Sequence, residues 1–374
     1  MKETDVQWAG EMLAKLEEKV KAELGRLGDA IPYMPHDGKY TDVAQERGID
    51  RWTNGFWGGL LWQLYSVTGE DVYRDAAVVQ EKRLDEALYR FRDIHHDVGF
   101  MWLHTAVAHY KATGDEQAYY TGLHAATLLA GRFNTVGNYI VAWNDNKPGW
   151  VIIDSMMNIV LLYWASEQTK DPRFKTIAKK HADTVARYLV REDGSVGHIA
   201  SFDPDTGEFL EQIGGQGYSA SSAWSRGNAW AVYGFALSYK YTRNSYYLML
   251  AKRVANYFIA SVSRTGYIPR VDFQAPEEPK IYDTSAGLCA ACGMMEIAKW
   301  VSREERQFYE ASAVNIIRAT EEKYANWNMD EDGIIGGATE AYHRPSTYEV
   351  PLIYSDYFFT EGLLRILGKE FPIW

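Results

Sequence analysis

The sequence predicts an all-α protein, an (α/α)6 barrel in which a ring of six inner helices is wrapped by six outer helices. Six runs of apolar, aromatic and small residues recur along the 374-residue chain, and more charged helical segments alternate with them. A helix that is apolar on nearly all sides must be buried, whereas a helix with one apolar face covers a surface. The alternation therefore predicts one domain, residues 1–374, built from repeats that close on themselves.

Each apolar run predicts one inner helix, which begins near the first residue of the run. The runs contain few charges and many glycine, alanine and aromatic residues, a composition that suits close packing around an axis. They are GFWGGLLWQLYSVTGE from Gly55, VGFMWLHTAVAHYKATGD from Val98, DSMMNIVLLYWASEQTKD from Asp154, RGNAWAVYGFALSYKYTRN from Arg226, DTSAGLCAACGMMEIAKW from Asp283 and SDYFFTEGLLRILGKEF from Ser355.

The outer helices are predicted from a one-sided apolar pattern, and the N-terminal segment supplies the first of them. The clearest case is the segment 174–189, where apolar residues recur at helical spacing and lysine, aspartate and arginine lie off the stripe. The stripe consists of Phe174, Ile177, Ala178, His181, Val185 and Leu189.

Four long loops, 134–153, 191–225, 264–284 and 326–354, each precede an inner helix. They should therefore gather at the end of the ring where the inner helices begin, which we call the mouth. Short β-branched and aromatic segments at 136–143, 194–202 and 266–273 predict β-hairpins within these loops.

The composition excludes some classes of function. A net charge of −11 argues against nucleic-acid binding, which needs clustered Lys and Arg, although a small anionic ligand needs only a local cation. No apolar run has membrane-spanning length, and the N-terminus lacks an apolar signal core, so we expect a cytoplasmic protein with no membrane partner. In such a reducing compartment we interpret Cys289 and Cys292 as small core residues. The 13 Trp and 26 Tyr have two possible explanations: the rings fill the core, or some of them stack on sugars.

Several predicted inner helices begin at a carboxylate, namely Asp97, Asp154, Asp283 and Asp356. Asp is a favoured N-cap residue, and capping alone accounts for all four. A helix N-terminus also lowers the pKa of a carboxylate, whereas a general acid needs a raised pKa. Burial or a second carboxylate close by raises it. Asp97 and Asp154 lie on consecutive inner helices and could form such a pair.

The sequence His95-His96-Asp97 also raises the possibility of a metal site. We disfavour it, because adjacent side chains diverge and the sequence has no HExxH motif or distant set of partner ligands. Neither a GxSxG nucleophile elbow nor a GxxxxGK[ST] phosphate loop is present. We therefore expect no metal and no cofactor.

Five segments together resemble the unsaturated glucuronyl hydrolases of glycoside hydrolase family 88, in the same order along the chain. They are RWTNGFWGG (51–59), HHDVGF (95–100), IIDSMMN (152–158), GQG (215–217) and WSRGNAW (224–230). The resemblance implies an (α/α)6 barrel that acts on oligosaccharides released by glycosaminoglycan and related lyases, whose terminal uronic acid carries a C4=C5 double bond. It implies that Asp154 is the general acid/base and that Asp97 is the second essential carboxylate.

The resemblance further implies a set of substrate contacts and a small anionic oligosaccharide as the partner. The set comprises Trp52, His96, Trp143, His198, Gln216, Arg226 and Trp230. Beyond it, Arg344, Ser346 and Thr347 are candidates to face a sulfate on the next sugar. An inverting glycosidase acting on saturated glycosides, or a non-catalytic oligosaccharide-binding toroid, would also suit this architecture. The linkage, the sulfation preference and the oligomeric state stay open at this point.

Overall fold

The computed structural model describes residues 1–144 and 146–374, and in that part of the chain six outer helices alternate with six inner helices. The N-terminal helix is the first outer one, as expected. The outer helices are Glu3–Leu27, Asp71–Arg90, Glu116–Ala130, Pro172–Tyr188, Ser245–Val262 and Arg303–Tyr324.

The inner helices are buried on all sides for most of their length, which confirms the basis on which they were predicted. Every residue of the fifth is buried, and so is the fourth from Ser225 to Ser238. In order, they are Phe56–Thr68; Val98–Trp102 continuing through a π-helical turn, Leu103–Val107, into Ala108–Thr113; Ser155–Asn158 with Val160–Thr169; Ser225–Thr242; Thr284–Ala298; and Ile353–Ile366.

The first and last inner helices meet and close the ring. The ring centroid of Phe56 lies 5.3 Å from that of Tyr357, and Trp52, just ahead of the first inner helix, lies 5.0 Å from Tyr354. Aromatic pairs at these distances are favourable contacts beyond the area they bury. The predicted (α/α)6 barrel is therefore confirmed.

Aromatic side chains fill the axis of the ring below the mouth. Phe100 packs on Trp230 with ring centroids 5.1 Å apart, and Trp230 packs on Phe358 at 5.8 Å. At the far end Trp374 is 2% exposed, lies 4.5 Å from the ring of His104, and donates its indole N–H to a Glu361 oxygen at 2.9 Å. The mouth therefore opens above a filled core, and Trp374 closes the opposite end.

Glycine lets the second and third inner helices approach almost to backbone contact. A Cβ on Gly99 would lie 2.4 Å from the Cα of Asn158, a distance that no real side chain tolerates. Gly234 of the fourth inner helix meets Met156 of the third in the same way, at 2.5 Å. The first turns of the second and third inner helices are therefore held close together at the mouth, and the middle of the fourth inner helix packs against the third.

Short strands occupy the mouth loops. Strands β1 (Phe133–Asn134) and β2 (Tyr139–Ile140) form one hairpin. Strands β4 (Ile199–Phe202) and β5 (Phe209–Ile213) form a second, and β3 (Trp150–Ile152) pairs with β4 across two different loops. The predicted third hairpin at 266–273 is wrong, since that segment makes only isolated bridges. Pro269 within it has no N–H to donate to a ladder.

Among residues 1–144 and 146–374, no helix combines the length and the hydropathy that crossing a membrane requires.

Candidate active site

The mouth loops meet above the first turns of the second and third inner helices. The N–H of Ile153 donates to the carbonyl of His198 at 3.1 Å, and the N–H of Tyr342 donates to the carbonyl of Gln216 at 2.7 Å. The N–H of His96 donates to the carbonyl of Ala142 at 2.9 Å. These bonds bring residues from four loops together around Asp97 and Asp154.

Asp97 is 6% exposed and surrounded by hydrogen-bond donors. Its Oδ2 lies 3.1 Å from Nδ1 of His95 and 3.5 Å from Nε2 of His96, and its Oδ1 accepts a bond from the amide of Asn158 at 3.1 Å. Burial alone would raise the pKa of Asp97, but the two histidines and the amide outweigh it and hold the pKa below the usual 3.8. Asp97 is therefore ionised at neutral pH.

His95, His96 and Asp97 converge, with ligand-type atoms within 4.8 Å of one another. The sequence argument that adjacent side chains diverge is wrong for this segment, because the chain turns here into the second inner helix. Burial lowers the pKa of His96 to about 4, so its ring is neutral at neutral pH, and its Nδ1 shares a hydrogen bond of 2.7 Å with Oγ of Ser155. The ring is thus fixed in orientation by the third inner helix.

Asp154 has the opposite environment. Its side chain is 15% exposed, and its Oδ2 is buried with no hydrogen-bond partner among the residues that the structure describes. Burial, followed by the charge of Asp97, raises the pKa of Asp154 to about 7, against a smaller lowering effect of Arg226. A carboxyl group with this pKa holds a proton near neutrality and can both give and take it.

His198 faces Asp154. Its Nδ1 accepts the backbone N–H of Gln216 at 3.0 Å, so the ring proton of the neutral form is on Nε2. Nε2 lies 3.7 Å from Oδ2 of Asp154, too far for a hydrogen bond in this state. Burial, with the charge of Arg226, lowers the pKa of His198 to about 3. A neutral Nε2–H therefore lies 3.7 Å from the carboxyl group of Asp154.

Asn158 joins the two carboxylates, and the sequence reasoning did not single it out. Its amide N–H2 donates to Oδ1 of Asp97 and to the backbone carbonyl of Asp154, each at 3.1 Å. Its Oδ1 accepts the backbone N–H of Phe100 at 2.7 Å. An amide placed one turn into an otherwise apolar inner helix, within the motif IIDSMMN, was the signal that could have identified it.

The structure does not support helix capping as the explanation of the four mouth aspartates. Asp97, Asp154 and Asp283 occupy N-cap positions, yet none accepts a capping hydrogen bond from its own helix. Asp356 lies inside the sixth inner helix and accepts backbone N–H groups of Ile334 and Ile335, from the loop before that helix.

Arg226 lies beneath the pocket wall, 1% exposed, and its guanidinium is bonded to the protein. It pairs with Asp283 and donates to the carbonyls of Thr339 at 2.8 Å and Glu340 at 2.7 Å. Trp230, one turn later, is 0% exposed within the axial aromatic stack. The structure therefore presents neither a free cation at Arg226 nor an open ring at Trp230, although the resemblance implied that both contact the substrate.

The other predicted contacts lie at the mouth. Trp52 is half-buried against Phe100, with ring centroids 5.4 Å apart. Trp143, also half-buried, borders a cleft of about 610 Å3 that also includes His95. Gln216 donates its side-chain amide to the carbonyl of Glu340 at 2.7 Å. The structure thus places His96 3.5 Å from Asp97 and His198 3.7 Å from Asp154, and it places Trp52, Trp143 and Gln216 elsewhere at the mouth.

Comparisons with known proteins agree with this geometry. The model of Glycosyl Hydrolase Family 88 matches residues 28–271. An unsaturated glucuronyl hydrolase of Bacillus sp. strain GL1 is 37% identical over 359 residues, covering 92% of each chain. An unsaturated chondroitin disaccharide hydrolase of Streptococcus pyogenes serotype M1 is 30% identical over 332 residues, covering 86% of this chain and 83% of the other.

Among solved structures, an unsaturated glucuronyl hydrolase from Streptococcus agalactiae superposes with a TM-score of 0.90 at 28% identity, covering 100% of this chain and 94% of the other. The likeness extends through all six helix pairs and all the mouth loops, the part of the fold that holds the two carboxylates. The chain therefore belongs to Glycosyl Hydrolase Family 88 and is a glycoside hydrolase.

Proposed function

We propose that this enzyme releases the terminal unsaturated uronic acid from glycosaminoglycan lyase products by hydrating its C4=C5 double bond. The observation that carries the proposal is the unequal pair of carboxyl groups, with Asp154 protonated near neutrality and Asp97 ionised. Relatives at 37% and 30% identity are named for unsaturated substrates, which favours hydration over ordinary glycoside hydrolysis.

The first step uses Asp154 as an acid. The C4=C5 bond conjugated to the ring oxygen is an enol ether, and its C4 takes the proton from the Asp154 carboxyl group. Positive charge then develops at C5 and the ring oxygen, where the ionised Asp97 stabilises it electrostatically. As Asp154 becomes a carboxylate, the Nε2–H of His198, 3.7 Å away, is the donor in position to stabilise it.

The second step uses Asp154 as a base. Water adds to C5 while its proton passes to the Asp154 carboxylate, which restores the starting state of the enzyme. The hemiketal at C5 opens to a ketone, and the resulting hemiacetal at C1 collapses to an aldehyde and the released sugar. One water is consumed, the products are a 4-deoxy-5-keto-uronate and the shortened oligosaccharide, and no cofactor is needed.

Substrate contacts are part of the proposal. Trp52 and Trp143 provide aromatic faces, and His96, His198 and Gln216 provide polar groups around the reacting ring. Arg226 and Trp230 support the pocket from below, since both are buried by protein groups.

The proposal also includes a cytoplasmic location and a small anionic oligosaccharide as the substrate, with no nucleic-acid or membrane partner. Two buried, unpaired cysteines, Cys289 and Cys292, suit a reducing compartment. The net charge of −11 supports the exclusion of nucleic acid.

Isotope labelling tests the reaction. Turnover of an unsaturated chondroitin disaccharide in heavy water should place deuterium at C4 of the product, and ¹⁸O from water should enter the keto group at C5. The released sugar should keep its original oxygen, and a saturated glucuronide should not react. Label at C1, no deuterium at C4 and rapid cleavage of saturated glucuronides would instead establish an inverting glycosidase.

A further inference from the structure

An anionic substrate entering an acidic protein needs a local cation, and Arg226 does not supply a free one. Its guanidinium is held by Asp283 and by the carbonyls of Thr339 and Glu340, and it is 1% exposed. Charge-assisted hydrogen bonds are the strong ones in recognition of carboxylates and sulfates, so another guanidinium at the mouth is the natural place to look.

Two arginines stand over one tyrosine beside the pocket. The guanidinium carbon of Arg51 lies 4.3 Å from the ring centroid of Tyr33, and that of Arg47 lies 5.4 Å from it. The hydroxyl of Tyr33 donates to Oε2 of Glu340 at 2.9 Å, which fixes the ring. Cation–π contacts thus hold both guanidiniums in place while leaving their N–H groups available.

In the described part of the chain neither guanidinium makes a hydrogen bond to a carboxylate, although an N–H of Arg51 also interacts with the hydroxyl of Tyr33. The nearest Glu340 oxygen lies 4.0 Å from each of Arg47 and Arg51, beyond hydrogen-bond range, and the other Glu340 oxygen is taken by Arg344 at 2.6 Å. Nε of Arg51 is buried without a partner among residues 1–144 and 146–374. Three guanidiniums therefore face the one carboxylate of Glu340.

The side chains around Glu340 adjoin the active site on two sides. Arg51 directly precedes Trp52, whose ring packs on Tyr354 at the mouth. The carbonyl of Glu340 accepts the side-chain amide of Gln216. The side chains of Arg47 and Arg51 are 37% and 17% exposed, so an incoming anion can reach both.

We propose that Arg47 and Arg51 form a subsite for an oxyanion of the oligosaccharide substrate. The group is either the carboxylate of the unsaturated sugar or a sulfate on the neighbouring sugar, since the guanidinium fork binds both. This inference rests on the proposed function, because it names which part of the mouth receives the charge of that substrate. Glu340 and Tyr33 act as positioning residues that orient the two guanidiniums.

The test compares Arg47→Gln, Arg51→Gln and the double variant with Arg74→Gln. Arg74 is a matched control: its side chain is 35% exposed and its guanidinium lies 6.0 Å from the ring of Tyr65, but it belongs to the first turn of the second outer helix, away from the mouth. We expect KM for an unsaturated chondroitin disaccharide to rise about ten-fold or more in the double variant, since a charged hydrogen bond contributes that much, with kcat changing far less. The control should match the wild type.

Two further substrates identify the anion. If the subsite binds the carboxylate, the methyl ester of the unsaturated uronate should raise KM in the wild type and should not be affected further by the double substitution. If it binds sulfate, the double substitution should abolish any preference for a 6-sulfated over an unsulfated disaccharide. An unchanged KM for all three substrates in a folded double variant would overturn the proposal.

Failure of the proposed function itself would look different. Wild-type enzyme would then turn over none of these unsaturated substrates, whatever happens at the arginines. Affinity of the Asp154→Asn variant for the unsaturated disaccharide, measured by calorimetry with and without the two arginine substitutions, tests the subsite without any turnover. Arg47→Lys and Arg51→Lys keep the charge but lose the forked N–H donors of the guanidinium. These variants replace the glutamine variants in the test if the latter do not fold.

Discussion

The first turns of the second and third inner helices carry equivalent aspartates in unlike surroundings. Asp97 and Asp154 both begin a buried helix, and neither caps it. Asp97 receives an amide N–H and lies close to two imidazoles, whereas Oδ2 of Asp154 is buried without a partner in the described structure. The helix terminus is common to both, so it does not decide the pKa. The hydrogen-bond donors around each carboxyl group account for the difference in pKa. They leave Asp97 ionised and Asp154 protonated near neutral pH.

Substitution of the acid should have the largest effect. Asp154→Asn keeps the shape of the side chain but cannot give a proton, and a general acid/base contributes roughly 10²–10⁴-fold. Because Asp154 serves in both steps, we expect a loss of kcat near the upper end of that range, measured by the decay of alkene absorbance. A variant that retained a tenth of the rate would remove Asp154 from this role.

The same variant should gain stability at alkaline pH. The pKa of Asp154 is about 7 in the folded protein and near 3.8 when unfolded, so the folded state binds the proton more tightly. Wild-type stability from this group therefore falls as pH rises from 3.8 to 7 and is lost above 7. Thermal melts should show the Tm of Asp154→Asn rising relative to wild type between pH 5 and pH 8. An equal offset at both values would contradict the raised pKa.

Substitution of the anion should have the next largest effect. Asp97→Asn removes the charge that stabilises the cation at C5, and it removes one of the causes of the raised pKa of Asp154. We expect kcat to fall roughly 10²-fold, within the range for such electrostatic stabilisation. The basic limb of the pH–rate profile should also move to lower pH, which a purely structural role for Asp97 would not produce.

The pH profile of the wild type distinguishes the two carboxyl groups directly. Asp154 must be protonated, so kcat/KM should fall about ten-fold per pH unit above 7. Asp97 must be ionised, and because its pKa is below 3.8, the acid limb should lie below the usual range for aspartate. Initial rates across this range, with the enzyme's folding monitored in parallel, measure both limbs; a profile flat through pH 9 would contradict the assignment.

A smaller effect is expected at Asn158. Asn158→Ala removes one donor from the ionised Asp97 and one from the carbonyl of Asp154, and a hydrogen bond to a charged group contributes about 1.5–3 kcal/mol, or roughly ten-fold in rate or more. Asn228→Ala is the matched control, since this asparagine is also buried in an inner helix but, among residues 1–144 and 146–374, donates only to the carbonyl of Trp224. Equal losses in both variants would mean that Asn158 is merely structural.

No effect is expected from a chelator. The short distances among His95, His96 and Asp97 are explained by contacts between a carboxylate and neighbouring imidazoles. Prolonged dialysis against EDTA should leave kcat unchanged, whereas a loss that a divalent ion restores would establish a metal at this group.

The fold was predictable because a helix that is buried on all sides has apolar or small residues at nearly every position. The fifth inner helix, from Thr284 to Ala298, has only one charged residue, and all of it is buried. Strands were less predictable: β3 pairs with β4 from another loop, and nothing local records that partner. The π-helical turn at Leu103–Val107 likewise has no sequence signal that distinguishes it from an α-helix.

The site was predictable only in part, for a related reason. Sequence reasoning on the mouth aspartates yielded Asp97 and Asp154 as a possible pair, but their roles depend on donors that other segments bring. Asn158 reaches Asp97 because Gly99 allows two helices to touch. The guanidinium of Arg226 meets the carbonyl of Glu340, 114 residues away. Contacts between residues so far apart in the sequence form because the ring closes, and neither segment has a sequence pattern that indicates its partner.

The closure of the far end by Trp374 has a kinetic consequence. Because aromatic side chains fill the axis below the mouth, an oligosaccharide can enter only from the mouth, so the enzyme should act on chain ends and should not move along a polymer between cycles. Entry and exit share the same path, and the monosaccharide product occupies the innermost position. It has to depart before the next chain end can bind, so its accumulation should inhibit competitively with respect to substrate.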